Sequence, residues 1–380
     1  MIVFDDIQRD GTEPADHLIS AFDYLNASGR QEALLVRNQV EAMFDIYPSD
    51  HKAEMRRRLR SRDDNLHHSS FFELALHELV VRQGFKILEV EPELQNGRAP
   101  DFLVDAGKAG RFYLEATLAT GRPDAEAGGD RRLREAIQAI DDAESPDFFL
   151  HLRTRGIPDR PVATANLRRA VEQFVDGLDY DASVSAIESG SSIPHFQHEE
   201  HGLYIRLEPY PKNTRGRSGG RAIGGGMLSG GQVQPHLSIR SSVVRKARHY
   251  GDIDIPLIIA VNSLELYANE EASIESVFGT EAVVVSEGQP DKWVRNPDGA
   301  WRGQSGPINR RASGLLSTER LTPWSLAQRS ARLIINPWAL NPAGDLSLGV
   351  DGITVVDDSL QKEVGSTWRE IFTLDDGWPE

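Results

Sequence analysis

The sequence predicts a mixed α/β fold, with a central mixed sheet of four to five strands flanked by helices. Apolar residues at helical spacing predict an amphipathic helix over Phe71–Gln83, and Gly84 ends it. Three β-prone runs follow this helix: Lys86–Val90, Asp101–Val104 and Phe112–Ala119. Later, the continuous apolar run Ile255–Asn262 is typical of a strand buried on both faces, and a predicted helix, Ser238–Tyr250, precedes it. We therefore expect this run to be the fourth strand, reached by a right-handed crossover.

These elements divide the chain into four segments. Residues 1–65 are expected to form a helical N-terminal module, of which the first 30 residues are polar and loosely ordered. Residues 66–120 form the first part of the core, and residues 238–380 complete it and add a tryptophan-rich C-terminal region. Residues 121–237 then form a large insertion between the third and fourth strands of the sheet.

Composition narrows the classes of function. The 380 residues are enough to bury a core, and no stretch has the length and apolarity of a membrane span. The absence of cysteine excludes disulfides and thiolate metal sites. The first residues lack the basic start and apolar run of a secretory signal, so we expect a cytoplasmic protein with no membrane partner. The net charge of −16 argues against indiscriminate nucleic-acid binding, but the basic residues are clustered, which indicates one basic groove on an acidic body.

Three acidic residues lie at distinctive places in the core pattern. Glu73 is near the start of the first predicted helix, Asp101 follows a proline at the start of the second strand, and Glu115 interrupts the apolar third strand. This order resembles the PD-(D/E)xK nuclease superfamily. The resemblance implies a restriction-endonuclease-like core in which Asp101 and Glu115 hold Mg²⁺ or Mn²⁺, with the carbonyl of Ala116 and the carboxylate of Glu73 as further ligands. Each acid alone also fits ordinary turn chemistry or a solvent-facing strand residue.

The motif lysine is missing from this chain. The family has a lysine two residues after the glutamate, and the residue there is Thr117. We predict that Lys246 replaces it, because the helix before the fourth strand should pack beside the third strand. Lys212 and Lys108 are the next candidates, and for Lys246 the alternative is a solvated helix residue.

A glycine-rich basic segment, Arg215–Gly231, lies in the insertion. It lacks the Gly-Lys-Ser/Thr ending of a phosphate-binding P-loop, which excludes a nucleoside triphosphatase of that class. Its arginines, Arg215, Arg217 and Arg221, are predicted to contact nucleic-acid phosphates. A plain mobile loop is the alternative.

A second metal site is the alternative to the carboxylate site. His195, His198 and His201 recur at every third position, with two glutamates between the last two. Imidazole ligands suit Zn²⁺ or another transition metal. The spacing does not match the His-Glu-x-x-His signature, and a polar loop with several histidines explains it equally well.

Other short elements recur in an order that is similar to uncharacterised bacterial and actinophage proteins. They are PDF and LEAT in the core, IAVN in the fourth strand, and then Gly-Pro-x-Asn-Arg and Asn-Pro-Trp-Ala, over roughly residues 55–345. This similarity implies no function. The tryptophans among these elements are expected to anchor irregular structure against the core.

Two hypotheses of different class follow from the resemblance. The first is a metal-dependent nuclease that hydrolyses phosphodiester bonds, in DNA, and serves defence against foreign DNA by analogy with similar proteins. The second is a catalytically inactive nuclease fold that acts as a nucleic-acid or protein-binding module. The expected partner is nucleic acid, and a second copy of the chain or another component of a defence system are the further partners considered.

Overall fold

The computed structural model describes residues 1–121, 127–216, 220–228, 234–284, 292–357 and 359–380. Two compact units make up the chain. The first unit comprises Met1–Glu13, Ser20–Gly121 and Gln234–Glu380. The second comprises Pro14–Ile19 and Arg122–Val233, so most of it is inserted within the sequence of the first unit.

The helices are numbered in chain order. They are α1 (Ala21–Ala27), α2 (Gln31–Asp45), α3 (Lys52–Leu59), α4 (Asp64–Arg82), α5 (Ala127–Asp141), α6 (Thr164–Asp176), α7 (Tyr180–Glu188), α8 (Pro235–His249), α9 (Glu270–Phe278) and α10 (Trp368–Phe372). Helix α4 begins earlier than the apolar pattern indicated, because the side chain of Asp63 accepts a hydrogen bond from the backbone N–H of Asn65 and caps it. The helix ends where predicted, and Gly84 has a φ of 75°.

The strands are likewise numbered in chain order. They are β1 (Lys86–Val90), β2 (Phe102–Asp105), β3 (Arg111–Ala119), β4 (Phe148–Arg155), β5 (Phe196–Glu200), β6 (Leu203–Pro211), β7 (Ile223–Leu228), β8 (Leu257–Ser263), β9 (Glu281–Val284), β10 (Lys292–Arg295), β11 (Arg302–Gly303), β12 (Gly306–Pro307), β13 (Gly314–Glu319), β14 (Ala331–Ile335), β15 (Asp351–Val356) and β16 (Ser359–Glu363).

The main sheet of the first unit has the order β1-β2-β3-β8-β13-β14-β15-β16. Strands β1, β2 and β3 form an antiparallel meander, and β8 pairs with β3 in parallel. The fold is therefore mixed α/β, with a mixed sheet flanked by helices, as predicted. The expectation of four to five strands is wrong, because the C-terminal third adds β13 to β16 to the sheet. These strands are short and lie among Gly and Pro residues, so their sequence pattern is weak.

Strand β8 is buried on both faces, as its apolar sequence predicts. Ile258 and Ala260 join a core cluster that includes the apolar residues of α4. Leu257, Ile259 and Val261 join a second cluster formed with α8 and α9. The sheet is thus covered on one face by α4 and on the other by α8, which brings both helices against the same central strands.

The N-terminal residues are better ordered than their polar sequence indicates. Val3 and Phe4 are buried, and their backbone N–H groups donate to the carboxylate of Glu41 on α2. Helix α1 follows, and Phe22 stacks on Phe4 with ring centroids 5.9 Å apart. The expectation that residues 1–30 are loosely ordered is therefore wrong, because a few apolar side chains suffice to attach this segment to the helical layer.

The second unit has a sheet of its own, with the order β5-β6-β4-β7. Strand β4 is antiparallel to β6 and parallel to β7, and β5 is antiparallel to β6. Helices α5 and α6 pack on one face of this sheet through the apolar cluster that includes Ile137, Val171 and Leu150. In both units, no helix within the described ranges has the length and apolarity required to cross a membrane.

We predict that Phe72→Ala destabilises the first unit by about 3–5 kcal/mol, because it removes a large side chain that α4 buries completely. Leu88→Ala, at a position where 43% of the side chain is exposed, is the matched control and should cost less than about 1 kcal/mol. Denaturant unfolding of both variants measures the free energies. Equal losses in the two variants would contradict this assignment of the core.

Candidate active site

Asp101 and Glu115 lie side by side on neighbouring strands. Phe102 pairs with Leu114, which brings the residue before β2 next to Glu115 on β3. The backbone N–H of Asp101 donates to Oε2 of Glu115 over 3.2 Å. In return, Oδ2 of Asp101 accepts a hydrogen bond of 2.6 Å from the backbone N–H of Ala116. The two carboxylates are therefore held together by reciprocal bonds between the strands.

Lys246 reaches the same place from α8. Its Nζ forms an ion pair with Oε1 of Glu115. The carboxylate of Glu115 is 3% exposed and the side chain of Lys246 is 21% exposed, so the pair lies at the border between the core and solvent. Helix α8 packs on both β3 and β8, which explains how a residue 131 positions away in sequence meets Glu115. The catalytic role of Lys246 stays a prediction.

Arg245 adds a second cation at the position of the missing motif lysine. Its Nη2 donates to Oγ1 of Thr117 over 3.1 Å. Thr117 lies two residues after Glu115 on β3 and is buried. Helix α8 thus brings a guanidinium to Thr117, the position where the PD-(D/E)xK pattern has a lysine.

Glu73 contacts Tyr47 and Arg58. The hydroxyl of Tyr47 donates to Oε1 of Glu73 over 2.9 Å, and Nη2 of Arg58 forms an ion pair with Oε2. Glu73 is buried on α4 and still acts electrostatically on Asp101. Burial and the adjacent carboxylate of Glu73 raise the pKa of Tyr47, so its hydroxyl stays protonated as the donor.

The pKa of Asp101 reflects its burial and the negative charges close to it. Burial raises the pKa of Asp101 well above its usual value, and the carboxylates of Glu115 and Glu73 raise it further. The hydrogen bond from Ala116 and the charge of Lys246 act in the opposite direction without reversing the shift. A group that supplies positive charge here would favour the ionised form of Asp101.

His249, the last residue of α8, and Tyr250, which follows it, extend the site at the end of this helix. Burial and a hydrogen bond with Glu115 raise the pKa of Tyr250. Burial lowers the pKa of His249, as do the positive charges of Arg98 and Lys246, whereas Glu115 raises it. Arg98, on the β1–β2 connection, is therefore close enough for its charge to act on His249.

The β1–β2 connection is attached to α8 at this point. Nδ2 of Asn96 donates to the backbone carbonyl of His249 over 3.4 Å. The exposed guanidiniums of Arg98, Arg245 and Arg248 are paired with no carboxylate in the part of the chain that the structure describes. Arg98 and Arg245 therefore add positive charge near Glu115.

The donors at Asp101 and Glu115 suit a hard divalent cation. Carboxylate oxygens are the ligands that Mg²⁺ prefers, and one or two of them commonly suffice beside water and substrate oxygens. Burial and the nearby carboxylates of Glu115 and Glu73 raise the pKa of Asp101, and a bound cation would oppose this shift. Within the described ranges, no group of three or more His, Asp or Glu side chains is arranged to hold a metal, so Glu73 as a third ligand stays a prediction.

The predicted loop arginines lie in the second unit. Nη1 of Arg215 is 3.9 Å from the carboxylate of Asp181, and its guanidinium lies 4.3 Å from the ring centroid of Tyr180. Nε of Arg221 is 3.4 Å from Oδ2 of Asp141. Arg217 lies outside the described residues. Phosphate contacts from these arginines stay a prediction.

Two other candidates from the sequence also have local partners. Lys212 donates to the backbone carbonyl of Ser145 over 2.6 Å in the second unit. His198 and His201 both contact the carboxylate of Glu200, at 3.1 and 3.4 Å. Among the residues that the structure describes, the histidines form no metal-binding group. Lys108 is exposed in the turn between β2 and β3.

Sequence reasoning missed four residues that complete the site. Arg245 and Tyr250 are close to Lys246 on α8, so the same helix could have indicated them. Tyr47 and Arg58 come from the helical layer before α4, and no motif signals them. Comparison with known proteins adds no further candidates, because no family model, no curated protein and no solved structure matches this chain.

We predict that Asp101→Asn makes the free energy of unfolding less dependent on pH. Between the usual pKa of an aspartate and the raised pKa of Asp101, the folded protein binds more protons than the unfolded chain, so stability falls as pH increases through this range. The amide cannot ionise, so the variant should lose less stability on alkalinisation and be more stable than the wild type above this range. Denaturant unfolding at a series of pH values measures the effect.

Asp105→Asn, at the far end of β2, is the control for this measurement, and it should keep the wild-type pH dependence. If Asp101→Asn shows the same decline as the wild type, the carboxylate of Asp101 is not the group that is forced to ionise against its neighbours.

Proposed function

We propose that this protein is a metal-dependent nuclease that hydrolyses phosphodiester bonds, in DNA. The observation that carries the proposal is the ion pair between Lys246 and Glu115, beside Asp101. It provides the two carboxylates and the cation that such a reaction requires, although the cation comes from a helix and not from the strand.

The order of elements supports a restriction-endonuclease-like core. Helix α4 precedes the antiparallel meander β1-β2-β3, and α8 then leads to β8, which is parallel to β3. Helices α4 and α8 cover opposite faces of the sheet. The remaining strands extend this arrangement at one edge.

In the proposed reaction, Asp101 and Glu115, with the carbonyl of Ala116, would hold Mg²⁺ or Mn²⁺. The metal would supply charge stabilisation at the scissile phosphate. Lys246 would keep Glu115 oriented and hold positive charge close to the attacking water. Arg245 would bind a phosphate oxygen from the position next to Thr117.

The exposed arginines near the two carboxylates favour an anionic substrate. Arg98 and Arg245 are exposed near the carboxylates, whereas the whole chain has a net charge of −16. An acidic protein repels a polyanion over most of its surface, so a local group of arginines would select how the substrate approaches.

A catalytically inactive nuclease fold is the second candidate. The raised pKa of Asp101 favours it, because a protonated carboxyl group is a poor metal ligand. Thr117 in place of the motif lysine favours it as well. Such a protein would bind nucleic acid, or another protein, at the same surface without cleaving it.

We predict that the wild type cleaves DNA in Mg²⁺ or Mn²⁺ and that EDTA abolishes this activity. Glu115→Gln and Asp101→Asn should each reduce the rate at least about 100-fold, because each removes the charge of a metal ligand. Glu89→Gln, which changes an exposed acid on β1, is the control and should keep the wild-type rate. Cleavage of labelled DNA and RNA measures the rates. A wild type that binds but cuts neither in any divalent metal would support the inactive-fold candidate instead.

We predict that Lys246→Gln reduces the rate of cleavage roughly 100-fold, because it removes a cation that stabilises developing charge. Lys246→Arg keeps the charge on Glu115 and should retain more activity, and adding Thr117→Lys to Lys246→Gln should restore part of the rate. Lys108→Gln, an exposed lysine on the β2–β3 turn, should have no effect. Circular dichroism checks that each variant is folded. Wild-type cleavage by folded Lys246→Gln would exclude Lys246 as the catalytic cation.

A further inference from the structure

In the part of the second unit that the structure describes, α5 and α6 pack on one face of the sheet. Along β4, buried residues alternate with exposed or half-buried residues, and β6 has the same alternation. The buried residues face α5 and α6 in one apolar cluster. The opposite face, which we call the open face, consists of the alternate residues of β4 and β6. They are Phe149, His151, Arg153 and Arg155 on β4, and Tyr204, Arg206, Glu208 and Tyr210 on β6.

Aromatic side chains occupy one end of the open face. Phe149 pairs with Tyr210 across the two strands, and these side chains are 44% and 46% exposed. His151 lies next to them, with its ring edge-on to Tyr210 at a centroid distance of 6.2 Å. A soluble sheet seldom leaves two large rings adjacent and exposed unless they contact a partner.

Glycines on the neighbouring strand leave these rings open at the side. Strand β7 places Gly224 beside Phe149, where an added Cβ would lie 2.6 Å from the Cβ of Phe149. Gly225 pairs with His151. Gly224 and Gly225 therefore place no side chain beside Phe149 and His151.

Positive side chains occupy the other end of the open face. Arg153 pairs with Arg206 across the strands, and both guanidiniums share the carboxylate of Glu208, at 3.4 and 3.0 Å. The guanidinium of Arg155 lies 5.4 Å from the ring centroid of Tyr204. One carboxylate cannot neutralise three arginines, so this end carries a net positive charge.

A further cation borders the aromatic end. Nζ of Lys212 lies 4.8 Å from the ring centroid of Phe149. Two acids also lie at the border: Glu199 on β5 pairs with Tyr204, and the backbone carbonyl of Asp147, before β4, accepts from the backbone N–H of Lys212. The open face itself holds three arginines and one glutamate, a net charge of +2 with His151 neutral. The net charge of the whole chain is of the opposite sign.

We propose that the open face binds single-stranded nucleic acid. Phe149 and Tyr210 would stack on successive bases, because every base presents a flat π-face, and the arginines would contact the phosphates. Bases in a duplex are already stacked on each other, so a duplex cannot use the aromatic end. This site lies in the second unit and is independent of cleavage at Asp101 and Glu115, so it goes beyond the proposed nuclease function.

The test measures the binding of fluorescein-labelled oligothymidylate, oligouridylate and a DNA duplex to the full chain by fluorescence anisotropy, with EDTA present to prevent cleavage. We expect the wild type to bind the single strands more tightly than the duplex. Phe149→Ala and Tyr210→Ala should each weaken single-strand binding about tenfold. Arg153→Gln combined with Arg155→Gln should reduce the slope of log Kd against log salt by about 1.4, which corresponds to two phosphate contacts on a single strand.

The controls remove matching groups elsewhere. Trp293→Ala removes an aromatic side chain that is 70% exposed in the first unit. Arg131→Gln with Arg168→Gln removes two exposed arginines from α5 and α6, the helices that cover the other face of the same sheet. These variants should bind as the wild type does.

Several outcomes would overturn the proposal. These are a wild type that binds no single strand, a preference for the duplex, open-face variants with unchanged affinity, and controls that lose as much affinity as the open-face variants. The relative affinity for the two oligonucleotides tells DNA from RNA as the ligand. If the open face does not bind single strands but its variants still cleave DNA with a metal, only the open-face proposal is wrong. If the wild type binds single strands but cleaves nothing, only the nuclease proposal is wrong.

Discussion

The arrangement of the first unit depends on two carboxylates that are held side by side within the sheet. Asp101 and Glu115 are fixed by reciprocal hydrogen bonds to each other's strands, so neither can turn away from the other. Burial raises the pKa of Asp101, and the carboxylates of Glu115 and Glu73 raise it further. A fold retains such an arrangement when the charge serves a purpose, which makes the pair a functional candidate on physical grounds.

Cations from outside the β1-β2-β3 meander balance the negative charge of the buried glutamates. Lys246 pairs with Glu115, and Arg58 pairs with Glu73, so each buried glutamate has one cation from a different helix. Removing one partner from a buried pair costs more than the pair contributes, because the remaining charge is left without compensation. The position of α8 on the sheet and the chemistry of the site are therefore set by the same contacts.

Each unit has arginines at one local surface, although the whole chain is acidic. In the first unit, arginines on α8 and on the β1–β2 connection lie beside the carboxylates. In the second unit, arginines lie on the open face of the sheet, next to exposed aromatic rings. Long-range repulsion by a chain of net charge −16 would weaken non-specific contact with a polyanion, so binding would be confined to these local surfaces.

The sequence by itself determined the local elements and the acids. The helical spacing in α4, the meander and the apolar run of β8 predicted the centre of the sheet, because periodicity and burial on both faces leave a direct pattern. The tertiary structure alone decided the rest. Strands β13 to β16 are short, so pairing with neighbours defines them. The contacts of Glu73 with Tyr47 and Arg58, and the aromatic rings and arginines of the open face, join residues on separate helices or strands. Such contacts depend on strand register and helix packing, which a local sequence pattern does not encode.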